Sequence, residues 1–219
     1  MDSSELRLAV GTGEITASLH GRGRTLVALG HGAGSTRRTP FLLRCADFLA
    51  STGRAALLFN FPYSEARRRI PDPAPVLEGC VRDVAAYARA ELGAERLVLG
   101  GRSMGGRMCS QAAAAGLACD GLVLLGYPLH PPGKPERLRD AHLDALHAPM
   151  LFVQGTRDAF ARRDLLQAVL ARLGPRATLH SLEDADHSFA VPRRAGKTPA
   201  EVEAGVFAAV RAWLDARSL

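Results

Sequence analysis

Short runs of consecutive apolar residues alternate along this chain with longer stretches in which apolar residues recur every three or four positions. The short runs, at residues 15–19, 26–30, 55–59, 96–99, 121–125, 150–154 and 177–182, predict seven strands. The longer stretches, at 40–51, 75–92, 104–116, 162–173 and 198–216, carry helical periodicity and predict five helices. Thr198 followed by Pro199 marks the start of the last helix, and Asp158 announces the fourth. Runs such as LVALG, LVLG, LVLLG and MLFVQ are apolar at nearly every position, which a strand needs when both faces of its sheet are covered. Strands of that kind alternating with helices predict an α/β fold, a doubly wound and mostly parallel sheet. The stretch 127–148, YPLHPPGKPERLRDAHLDALHA, resists regular assignment. It has room for a loop with one short helix and none for a cap domain.

Length and composition narrow the class. The 219 residues suit a single domain, 1–219, large enough to bury a sizeable core. A hydrophobic content of 47% against 23% charged residues excludes disordered and fibrous chains. No apolar run reaches the roughly 18 residues of a membrane span, and MDSSELRLAVGTGE has no basic segment leading into an apolar one. A soluble, cytoplasmic protein without a membrane partner is expected. Cys45, Cys80, Cys109 and Cys119 show no C-x-x-C spacing and read as reduced, mostly buried thiols. The net charge of +6 comes from an arginine excess, since Lys134 and Lys197 are the lysines among 28 basic residues. The arginines are scattered, and the Arg67, Arg68, Arg69 cluster lacks interleaved aromatics, so no nucleic-acid partner is expected.

The candidate chemistry begins at LVLGGRSMGGRM, residues 97–108, where Gly101, Ser103 and Gly105 fit G-x-S-x-G. A strand turning sharply into a helix there would lift the Ser103 hydroxyl above the carboxyl edge of the sheet, and side chains two residues to either side would collide unless they were glycines. A serine hydroxyl is a weak nucleophile without a base, so an acid and a histidine should follow in that order, each past a strand. Asp158 follows MLFVQ in GTRDAF, and His187 follows the last strand in EDADHSF; Asp184 and Asp186 are competing acids. Two backbone N–H groups for an oxyanion should come from Met104 and from the loop LGHGAGS, where Ala33 is the first choice and Gly34 its alternative. His31 reads as a scaffold of that loop rather than a base.

Phe61, Pro62, Tyr63, Tyr127, Leu129, Phe160 and Phe189 follow strand ends or flank these residues and are candidate pocket walls. Other signals fail. A G-x-G-x-x-G fingerprint would need glycine where Ser35 stands, and the GKT at 196–198 would need one where Val191 stands. His130, His142 and His147 lack metal-ligand spacing. Neither a metal nor a cofactor is expected.

On these motifs the chain resembles the α/β-hydrolase superfamily over nearly its whole length. FNFPYSEARRR and GYPLHPPGKPERLRDAHL resemble, more narrowly, the small hydrolase-like group that includes testis-expressed protein thirty and the hydrolase-like subunit of the NSL histone-acetyltransferase complex, related to dienelactone hydrolases. The resemblance implies a compact hydrolase without a cap and supplies no substrate. Dienelactone hydrolases carry cysteine at the elbow where Ser103 stands, so lactone specificity does not carry over. The expected activity is that of a carboxylesterase-type serine hydrolase acting on a small or medium ester or related acyl substrate. Acyl transfer to another acceptor, or an interaction module without turnover, would use the same fold. Oligomeric state is not legible.

Overall fold

The computed structural model describes residues 3–219. Its strands are β1 (Ser3–Val10), β2 (Gly13–His20), β3 (Thr25–Gly30), β4 (Ala55–Phe59), β5 (Arg96–Arg102), β6 (Gly121–Leu125), β7 (Met150–Gly155) and β8 (Ala177–Leu182). They form one sheet in the order β1-β2-β4-β3-β5-β6-β7-β8. The β1–β2 and β2–β4 pairings are antiparallel, and every pairing from β4 onward is parallel. The parallel strands therefore end at one edge, where their following loops can meet.

The helices are α1 (Pro40–Ser51), α2 (Pro62–Glu65), α3 (Ala74–Ala90), α4 (Met104–Ala114), α5 (Arg163–Leu173) and α6 (Pro199–Asp215). Alternation along the central strands sends successive side chains to opposite faces. In β3, Leu26 and Ala28 belong to the core layer that also holds the apolar side chains of α3, α4 and α5, while Val27 and Leu29 belong to the layer of α1 and α6. Both faces of the central strands are thus covered, and this is why they are apolar throughout. The connection from β6 to β7 carries one 3₁₀ turn, Ala141–Ala145, and no cap domain rises above the sheet edge among the described residues.

Three sequence expectations need correction. The chain has an eighth strand, β1, built on the alternation of Leu6, Leu8 and Val10 with exposed Glu5, Arg7 and Ala9. Such an edge strand buries one face only, so it lacks the continuous apolar run of its neighbours. The four residues of α2 are too few for periodicity to register. Finally, Asp158 does not cap the fourth long helix: Arg162 occupies the N-cap of α5, and the Asp158 carboxylate is used elsewhere. Thr198 does cap α6, in a reciprocal capping box with Glu201.

Candidate active site

The turn between β5 and α4 holds Ser103 at φ 50°, ψ −113°, a conformation L residues avoid. Close packing around β3 leaves the chain little choice. A Cβ on Gly101 or on Gly105 would run into the carbonyl oxygen of Gly30, so both glycines let the turn lie against the end of β3. The Ser103 N–H donates to the Leu125 carbonyl at 3.0 Å, tying the turn to β6 as well.

His187 lies in the loop after β8, with its Nε2 2.9 Å from Ser103 Oγ and its Nδ1 2.7 Å from Asp158 Oδ2. The residues so joined stand 84 and 29 positions apart. The Asp158 side chain is wholly buried, while 21% of the His187 side chain remains exposed at the cleft. Asp158 also accepts a 2.7 Å bond from the Phe160 N–H and a 2.5 Å bond from Gln154 Nε2, and Gln154 in turn accepts from the Tyr127 N–H. A carboxylate receiving three donors is fixed in orientation. Sequence reasoning passes over Gln154 because it closes an apolar strand; its signal is a buried-strand amide four residues before the acid. Asp186 serves its own loop instead, accepting from the Ser188 and Ala190 N–H groups at 2.7 and 3.0 Å. Gly155 permits this loop to close, since a Cβ there would strike the Ala185 and Asp186 carbonyls.

The loop after β3 reaches the same edge. His31 is buried, with Nδ1 2.8 Å from the Gly32 carbonyl and Nε2 accepting from the Phe61 N–H at 3.1 Å. Those partners require a neutral ring protonated on Nδ1, and burial pushes its pKa down to about 4. Tyr63 donates its hydroxyl to the Gly32 carbonyl and accepts from the Gly34 N–H at 3.2 Å. Gly34 is therefore engaged, whereas the N–H groups of Ala33 and of Met104, the first residue of α4, have no partner among the described residues.

Ser103 lies between two lobes of an open cleft, with Ala33 and Phe160 shared by both walls. One lobe, about 340 Å³, is bounded by His187, Arg102, Thr39 and Leu42. The other, about 270 Å³, is bounded by Leu77, Met104, Met108 and Pro128 with Arg107, Arg139 and Asp72. Of the aromatic and aliphatic residues expected as walls, Phe160 alone lines the cleft, its ring stacked on His187 at 4.2 Å. Phe61, Tyr63, Tyr127 and Leu129 are fully buried in the core, and Phe189 packs beneath the Arg102 guanidinium at 4.2 Å. Pro62 opens α2 away from the cleft. The reason is geometric: a chain leaving a parallel strand turns back under the site loops, so its first large side chains brace those loops from below. Arg102, missed in the sequence because the elbow pattern leaves its position open, donates to the carbonyls of Leu125 and His187 and so holds the histidine loop. Burial brings its pKa down to about 10.

A profile of the alpha/beta hydrolase domain matches residues 23–215. The chain belongs to the α/β-hydrolase family. Solved structures with this hydrolase fold superpose over nearly the full chain. A lidless α/β serine hydrolase from Xanthomonas campestris is 22% identical with a TM-score of 0.77, covering 97% of this chain and 95% of that one. A dienelactone hydrolase from Anabaena variabilis is 20% identical with a TM-score of 0.75, covering 97% and 96%. A cold-adapted esterase from an Arctic intertidal metagenomic library is 18% identical with a TM-score of 0.72, covering 98% and 93%. Among the described residues of this α/β hydrolase, no group of three or more His, Cys, Asp or Glu side chains could hold a metal ion, and no helix is long and apolar enough to cross a membrane.

Proposed function

We propose that the chain is a serine hydrolase of carboxylic esters or related acyl bonds, with Ser103 as nucleophile, His187 as base and Asp158 as the acid that orients it. The observation that carries this reading is the unbroken hydrogen-bonded line from Ser103 Oγ through both nitrogens of His187 to Asp158. Family membership and the esterase and hydrolase names of its structural neighbours support it. In the acylation step Ser103 Oγ attacks the ester carbonyl carbon while its proton passes to His187 Nε2. The oxyanion that forms is met by the unengaged N–H groups of Ala33 and Met104. The carbon–oxygen bond to the alcohol then breaks, and His187 returns the proton to the departing oxygen. Water repeats the sequence, giving up a proton to His187 and releasing the acid and free Ser103. The engagement of Gly34 by Tyr63 favours Ala33 as the second oxyanion donor. The short segments that resemble the testis-expressed and NSL-complex group suggest kinship within the family and assign no substrate.

A fluorophosphonate probe should label Ser103 stoichiometrically, and Ser103→Ala should abolish labelling and lower turnover of 4-nitrophenyl butanoate by roughly 10⁴-fold or more with an unchanged unfolding midpoint. A folded Ser103→Ala protein that keeps its esterase rate removes Ser103 from the chemistry. A wild-type protein that neither labels nor turns over esters leaves a hydrolase-fold interaction module.

A further inference from the structure

The lobe beside Met104 holds charge that the hydrolytic chemistry does not use. Three buried side-chain N or O atoms lack a hydrogen-bond partner among the described residues, and two of them, Arg107 Nε and Asp72 Oδ2, belong to residues lining this one lobe. Arg107 stands one turn beyond Ser103 on α4, its backbone N–H bonded to the Ser103 carbonyl at 3.1 Å, so its side chain starts from a point fixed relative to the nucleophile. Among the described residues its sole side-chain hydrogen bond is one of 3.4 Å to Gln111 on the same helix. Arg139 lines the same lobe, and the two cations repel each other with no carboxylate bridging them among the described residues. Arg139 is also held in place: its N–H donates to the Leu129 carbonyl at 2.8 Å, and its own carbonyl accepts from the Tyr127 hydroxyl at 2.7 Å. Several other arginines of this chain sit on a carboxylate, as Arg68 does on Asp72 at 2.6 Å and Arg172 on Asp140 at 2.7 Å. Two half-buried arginines left in one lobe without a shared counter-charge cost stability unless an anion joins them.

The lobes also differ in what the chemistry lets them hold. His187 must hand a proton to the leaving alcohol oxygen, and it lines the other lobe, so the alcohol half lies there. The acyl half is left with the lobe of Arg107 and Arg139. We infer that the substrate's acyl group carries a terminal carboxylate, gripped by Arg107 and Arg139, so that the preferred esters are monoesters of short dicarboxylic acids. This rests on the serine-hydrolase reading above. Asp72, the one carboxylate of this lobe, is already paired with Arg68, so Arg107 and Arg139 remain as cations for an anionic group to join. Asp72 repels a carboxylate, so the anion sits at the arginine end of the lobe.

The test compares monobutyl glutarate, butyl pentanoate and the pentanoyl ester of 3-hydroxypropanoate by acid release in a pH-stat. The glutarate monoester should exceed butyl pentanoate in kcat/KM by about tenfold or more, and the ester with its anion on the alcohol half should show no such advantage. Arg107→Gln and Arg139→Gln should each cut the glutarate-to-pentanoate ratio about tenfold, and added salt should lower it in the wild type. Arg139 lies on a loop, so its variant keeps the test open if the α4 variant misfolds. Ser103-dependent hydrolysis that favours butyl pentanoate, or a ratio unmoved by both substitutions, overturns this inference and leaves the hydrolase reading standing. Absence of both labelling and hydrolysis with all three esters overturns both.

Discussion

At φ 50°, Ser103 is held where a non-glycine backbone goes only under compulsion, and the compulsion comes from glycines packed against β3. Gly105→Ala tests that packing directly. Its Cβ would meet the backbone of Gly30 and His31, which cannot swing aside as a side chain can, so the variant should lose at least about 2 kcal/mol in urea unfolding and most of its hydrolytic rate. Gly79 is the contrast. It lies inside α3 with open space where a methyl group would project, and Gly79→Ala should stabilise by about 1 kcal/mol with turnover intact. The G-x-S-x-G spacing makes the need for small residues legible in the sequence. That their obstacle is Gly30, on a strand far earlier in the chain, is not, because a pattern states that something is close without saying what.

Among the elements, the loops that follow parallel strands form the site, and each is braced by a neighbour. Tyr63, at the start of the β4–α3 connection, bridges the Gly32 carbonyl and the Gly34 N–H of the loop after β3. Tyr63→Phe removes both bonds without emptying the core. Turnover of 4-nitrophenyl butanoate should fall about tenfold, chiefly in kcat, with a stability loss of about 1 kcal/mol. An unchanged kcat would mean that the loop keeps its shape without the phenol. The β6–β7 connection plays the same part for the acid: the His130 N–H donates to the Phe160 carbonyl at 2.9 Å, and His130 Nε2 accepts from the Arg162 N–H at 2.9 Å, clasping the loop that carries Asp158. Periodicity finds the long helices and the fully apolar strands, whose neighbours along the chain share their environment. It misses β1 and α2, one half-exposed and the other shorter than two turns.

For the whole molecule, one buried and one half-buried histidine set a pH limit on stability. Burial pushes both His31 and His142 down to about 4, and His142 Nε2 lies 2.8 Å from Ser110 Oγ inside the α4 packing. In an unfolded chain histidine titrates near about 6.5. Between those values the unfolded chain binds protons that the folded chain refuses, so the stabilisation is complete above about 6.5 and drains away as pH falls toward about 4. Urea midpoints should drop steeply between about pH 6.5 and 4.5, and His142→Asn should flatten that slope; a midpoint constant across the window contradicts the burial argument. The amino-acid sequence by itself determined the fold class, the order of the fully apolar strands and long helices, and the small set of residues able to do acyl chemistry, because each is written in spacing along one short segment. The tertiary structure alone decided which of three aspartates meets His187, which loop N–H is left free, and which side chains face the cleft. Those outcomes depend on hydrogen-bond partners and packing surfaces supplied by distant segments, and such partners exist only once the sheet has brought its strand ends to one edge.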